Sequence, residues 1–199
     1  MDKFEFIMVL LSIIIGMGIA ETLKTVSRFM KDKTHPGSLH ILWSVSTLIA
    51  LIQLFWASWK TEYRADWTFI DLTIVITPAI IMYLIASLLL LPKKETKNLD
   101  LYFINQRFPF FLLQLSLIIL FTISDYVFVE GSFDRNVIRG LVFILFSFLV
   151  YTKNKTWHIT GVAILISIQI AWIILYSYQL SKMSISPFSP SSNDIICPG

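Results

Sequence analysis

The stretch TFIDLTIVITPAIIMYLIASLLLL, residues 68–91, carries one charge, Asp71, and ends on four consecutive leucines. A helix rising 1.5 Å per residue needs about 20 apolar residues to cross a hydrocarbon layer about 30 Å thick. The segment therefore reads as a membrane span. A strand of a membrane barrel would alternate polar and apolar residues, whereas 88–91 and Ile13-Ile14-Ile15 are continuous apolar runs, so the span is helical. Five more apolar stretches lie on either side, at 4–23, 40–59, 108–129, 137–152 and 157–180. The expectation is an all-α protein: an integral membrane bundle of six transmembrane helices over residues 1–180, followed by a Ser/Pro-rich disordered tail over 181–199.

The fifth stretch is the short one. Only residues 140–152 separate Arg139 from Lys153, about 20 Å of helix at 1.5 Å per residue. It crosses if Arg139 and Lys153 extend toward opposite interfaces. If it re-enters instead, the C-terminus changes side.

Composition agrees with the spans. The chain is 56% hydrophobic and 15% charged, with a mean hydropathy of +0.73, well above the usual balance of a water-soluble domain. Six spans use nearly all of the 199 residues, and no remaining segment is long enough to bury a core of its own. A net charge of +3 reflects Lys and Arg in loops beside anionic headgroups. No basic stripe with interleaved aromatics points to nucleic acid. Cys197 is the single cysteine, which excludes an intrachain disulfide and a cysteine metal cluster.

Loop charges orient the bundle. Ten of the sixteen basic residues fall in the first, third and fifth loops: Lys24, Arg28, Lys31, Lys33, Lys93, Lys94, Lys97, Arg107, Lys153 and Lys155. The other side carries Lys3, Lys60, Arg64, Arg135, Arg139 and Lys182. The odd loops are thus expected in the cytoplasm and both termini outside. The basic cluster follows the first span rather than preceding it, so that span reads as a retained anchor and not a signal peptide. The tryptophans fall mostly near span ends and read as interfacial anchors. Gly16, Gly18, Ala20, Gly140, Gly161 and Ala163 read as small residues that let helices approach closely.

Ionisable residues inside spans cost free energy and need a partner, water or a function. Two layers emerge. Asp71, Asp125 and Arg139 form an outer group, and Glu21, Arg28, His40, Arg107 and His158 an inner one. Between them lie Gln53, Thr77, Gln114, Ser116, Ser147, Ser167 and Gln169. The candidate intramembrane polar path is Glu21, Gln53, Asp71, Gln114, Asp125, Arg139 and Gln169. Pro78 removes a backbone donor in mid-span and is a candidate hinge, with Thr77 placed to satisfy the freed carbonyl. His40 and His158 start spans on one side and, with Glu21, are the weak candidates for a metal or haem site. No H-E-x-x-H, G-x-S-x-G or P-loop motif occurs. The expectation is no catalysis, no metal and no cofactor. Asn154-Lys155-Thr156 matches a glycosylation sequon but sits in a tight predicted cytoplasmic loop, so its match is read as chance.

Gly16-Met-Gly18-Ile-Ala-Glu21, His40-Ile-Leu-Trp43 and Gln53-Leu-Phe-Trp56 carry a resemblance. The first hundred residues resemble a group of small, polytopic bacterial membrane proteins. That resemblance implies the bacterial inner membrane and supplies no activity. The leading functional expectation is a membrane component that assembles with itself or with a membrane partner protein, as a pore or an effector. The alternative is a small ion or solute transporter. A third is a membrane-embedded redox or metal protein using His40 and His158.

Overall fold

The computed structural model describes residues 3–31, 37–59, 67–89, 99–128 and 133–183. Among them are six helices and no strand: α1 (Lys3–Lys31), α2 (Ser38–Ser58), α3 (Phe69–Leu88), α4 (Leu99–Phe128), α5 (Phe133–Tyr151) and α6 (Lys155–Met183). Five are long and apolar enough to cross a membrane, over Lys3–Arg28, Ser38–Ser58, Phe69–Leu88, Asp100–Phe128 and Lys155–Leu175. The exception is α5. Its 19 residues rise about 28 Å, but Asp134, Arg135 and Arg139 occupy its first two turns. Lys33, Lys60, Arg64, Lys93, Lys94, Lys97 and the tail 184–199 with Cys197 lie outside the described residues.

Three helices begin or end several residues beyond their apolar runs, and α6 exceeds its run by two residues at one end and three at the other. Residues 24–31, read as loop, continue α1 to Lys31, and α4 starts at Leu99 rather than 108. α5 starts at Phe133, four residues before the expected 137. The physical reason is common to the first two. Lys, Arg, Glu and Asn end an apolar window, but most of them are good or tolerable helix formers. Hydropathy marks where the oil stops, not where the helix does.

Consecutive helices run antiparallel. At one end, Phe4 of α1 packs against Trp59 after α2 with ring centroids 6.0 Å apart, and Trp67 before α3 meets Phe128 of α4 at 6.2 Å. At the other, Thr25 of α1 and His40 of α2 both bond the Leu89 carbonyl that closes α3. Asp100 of α4 there accepts from the Leu39 amide and pairs with Lys155 of α6. These are the even-loop and odd-loop ends, after the loops they carry. Helices α2, α3, α4, α5 and α6 adjoin in a ring, and α1 packs outside it against α2 and α3.

Close packing replaces the hydrophobic effect as the glue between helices where lipid is the solvent. Gly18 makes this visible: a Cβ there would sit 3.0 Å from Leu51 Cδ2. Gly161 likewise accommodates Leu149 of α5. Gly16 and Gly140 face open space, with nothing within 4 Å of a built Cβ, so only two of these four glycines serve close approach within the chain. Trp43 departs from the anchor reading. It is fully buried, stacked on Phe103 at 5.9 Å and met edge-on by Phe110 and Phe111 at 5.2 and 5.1 Å. Trp56, Trp59 and Trp157, near helix ends, are exposed. Position near a helix end put Trp43 among the anchors, but α4 folds over it.

Candidate functional site

The ring of helices does not close on itself completely. A cleft of about 550 Å³ lies among α2, α3, α4, α5 and α6, within the size range of a small-molecule site. Its walls are apolar, from Ala50, Val75, Met82, Leu117, Ile118, Phe121, Val142, Phe146 and Leu165. α5 and α6 explain why it exists. They pack at the odd-loop end, where Phe148 meets Trp157 at 5.4 Å and Leu149 lies on Gly161. Further along, Val142 and Arg139 of α5 and Gln169 and Trp172 of α6 line the gap instead.

Polar groups enter this wall at two levels. At mid-depth, Gln53 Nε2 donates to the Gln169 carbonyl at 2.9 Å. Ser46 Oγ donates to Gln169 Oε1, and Gln169 Nε2 donates back to the Ser46 carbonyl, both at 3.2 Å. These bonds tie α2 to α6. Gln114 lines the same cleft from α4, so all three expected glutamines face one space. Thr77, Ser116, Ser147 and Ser167 do not join them. Each hydroxyl returns to a carbonyl of its own helix, three or four residues back.

At the even-loop mouth stands an ion cluster. Arg139 Nη2 donates to Asp125 Oδ2 at 2.7 Å, and Arg135 Nη1 approaches the same oxygen at 3.3 Å. All three side chains are largely enclosed, at 16–23% exposure, and all line the cleft. Arg139 was expected to extend toward an interface as the start of a short span. It is instead held by α4, in the second turn of a longer helix.

Other expected members lie elsewhere. Asp71 is buried at the third position of α3, in a reciprocal cap with Thr68. Thr68 Oγ1 and its amide donate to Asp71 Oδ2 at 2.8 and 3.0 Å, while the Asp71 amide donates to Thr68 Oγ1. Glu21 accepts from Lys24 at 2.9 Å near the odd-loop end. His40 and His158 each meet Phe103 edge-on, with ring centroids 6.3 and 6.0 Å from it. Each His Nε2 donates to a backbone carbonyl, Leu89 at 2.7 Å and Thr152 at 3.0 Å. Among the described residues, no group of three His, Cys, Asp or Glu is arranged to hold a metal.

Pro78 is buried inside α3 and lines the cleft. Its missing N–H releases the Ile74 carbonyl. Thr77 does not replace it, because Thr77 Oγ1 donates to the Thr73 carbonyl at 2.7 Å. The hydroxyl is one residue out of register for the expected repair. Asn154 of the sequon is used locally. Its Oδ1 accepts from the Thr156 amide at 2.9 Å, opening α6.

Several contributors escaped sequence reading. Ser46 and Arg135 lacked any signal beyond their residue type. Asp100 had one, a carboxylate directly after the basic run of the third loop. Gly37 approaches it so closely that a Cβ would lie 2.9 Å from the Asp100 amide nitrogen. No protein-family model matches this chain, and neither a curated protein nor a solved structure matches it.

Proposed function

We propose that the chain is a multi-pass protein of the bacterial cytoplasmic membrane whose working part is the cleft, and that it binds or carries an apolar or amphipathic solute there without catalysis. One observation supports this most directly: an apolar cleft of about 550 Å³ with a bonded glutamine belt and an ion cluster at its mouth. Lipid-facing surfaces do not need such polar groups, since each buried one must find a partner. On this reading α5 also crosses, its three charges gathered at the even-loop end, and the Lys/Arg bias places both termini outside. Pro78, set in the cleft wall, is the proposed hinge.

The test uses a neutral probe. Protein in lipid nanodiscs is incubated with dodecanol and released into a native mass spectrometer. One retained adduct on the wild type, lost on Ala50→Phe, supports the reading. An adduct pattern that filling the cleft does not change sinks it.

A second reading, self-assembly, has its own observation. Ser12, Gly16 and Ala20 recur every four residues on the exposed side of α1, and a Cβ on Gly16 would meet nothing. Small residues at this spacing suit close helix association. Gly16→Leu should abolish energy transfer between donor- and acceptor-labelled copies. Unchanged transfer excludes this face.

A further inference from the structure

We infer that the guest is a single-chain amphiphile with an oxyanion head, and that Arg139 is the residue that binds the head at the even-loop mouth. This rests on the cleft being a binding site and adds the chemistry of what enters it.

The mouth carries the first argument. Arg139 presents five N–H donors in a planar fork, yet it shares a single carboxylate oxygen, Asp125 Oδ2, with Arg135. Its Nη1 is buried and has no acceptor among the described residues. A guanidinium enclosed in this way is incompletely satisfied, and such donors are costly to leave unmade. A second oxyanion arriving from the cleft would complete the fork when the guanidinium, which lines that cleft, turns its Nη1 toward it. Carboxylate and phosphate oxygens match its geometry best.

The shape beneath carries the second. From Asp125 down α4 to Gln114 is eleven residues, about 16 Å. The cleft-lining residues between them include Phe121, Ile118 and Leu117. The acid-binding mouth thus continues into an apolar slot that reaches the glutamine belt. A free small anion would leave that slot empty, and a plain hydrocarbon would leave Arg139 unmatched. An acid on an alkyl chain fills both. The volume, in the lower half of the small-molecule range of about 300–1,000 Å³, suits one chain.

The same nanodisc and native mass spectrometry assay tests this with dodecanoate, dodecyl phosphate and dodecanol. Wild type should retain the two acids about tenfold or more over the alcohol, as one charged hydrogen bond implies. Arg139→Gln should reduce the acids to the level of the alcohol. Asp125→Asn, which removes the competing carboxylate, should raise acid binding. If only one acid is retained, the head is that carboxylate or that phosphate. Equal retention of acids and alcohol by the wild type, all lost on Ala50→Phe, would overturn the acid-head inference and leave the cleft as a site. Loss of no adduct on Ala50→Phe would remove both. The wild-type comparison decides even where Arg139→Gln does not fold.

Discussion

Arg139 of α5 and Asp125 of α4 are bonded at 2.7 Å across the loop that joins their helices. The charge that keeps α5 from reading as an apolar span is thereby met from the neighbouring helix. An arginine in an apolar setting is expensive alone and far less so when paired. α5 is therefore tied to α4 at its polar end, while Leu141, Ile144 and Phe148 remain exposed further along.

Breaking this cluster from one side should cost more than removing the pair. Asp125→Leu leaves two enclosed guanidiniums without their shared carboxylate and should destabilise by about 3 kcal/mol. The double variant Asp125→Leu/Arg139→Leu should recover part of that. Denaturant titration in mixed micelles reads both, and strictly additive losses would contradict the coupling.

Gly37 and Gly16 should respond oppositely to alanine. At Gly37 a Cβ meets the Asp100 backbone, so Gly37→Ala should cost about 1–3 kcal/mol. Gly16 lies mid-helix in open space, and Gly16→Ala should stabilise the monomer by about 0.5–1 kcal/mol through helix propensity. Thermal unfolding of the two variants in one detergent gives the comparison. A destabilised Gly16→Ala would point to contacts on that face.

Trp43 and Trp157 should separate core from anchor. Trp43→Ala empties the centre of an aromatic knot and should cost about 3–5 kcal/mol. Trp157 is 52% exposed, and Trp157→Ala should change folding stability by well under that. Similar midpoints for the two would contradict the placement of Trp43.

The Ser46–Gln169 pair offers a double-mutant cycle. Ser46→Ala removes one bond between α2 and α6, and Gln169→Leu removes two. Their coupling should be about 0.6 kcal/mol, the average for side-chain hydrogen bonds between membrane helices, and at most about 1.7 kcal/mol. Zero coupling would mean that the two side chains do not hold each other.

The six helices were legible because an apolar helix is a local object. Its length, its apolar content and its internally satisfied backbone are all properties of one continuous segment. Alternation of direction follows from short connections between spans. Even Asp71 could have been read locally, since Thr68 three residues before it is the signature of a capping box. The helix extensions at 24–31 and 99–107 were missed because hydropathy measures solvent, not dihedral angles.

Residue types marked Gln53, Gln114, Asp125, Arg139 and Gln169 as costly to bury, and that much needed no fold. Which of them meet was decided elsewhere. Gln53 and Gln169 lie 116 residues apart, and Ser46 and Gln169 lie 123 apart. Their pairing depends on how far α6 slides and turns against α2, which side-chain packing sets and no single segment encodes. The same register brought both His40 and His158 to Phe103, and left the cleft where α5 and α6 part. Spans come from each helix alone, whereas the site exists only between helices.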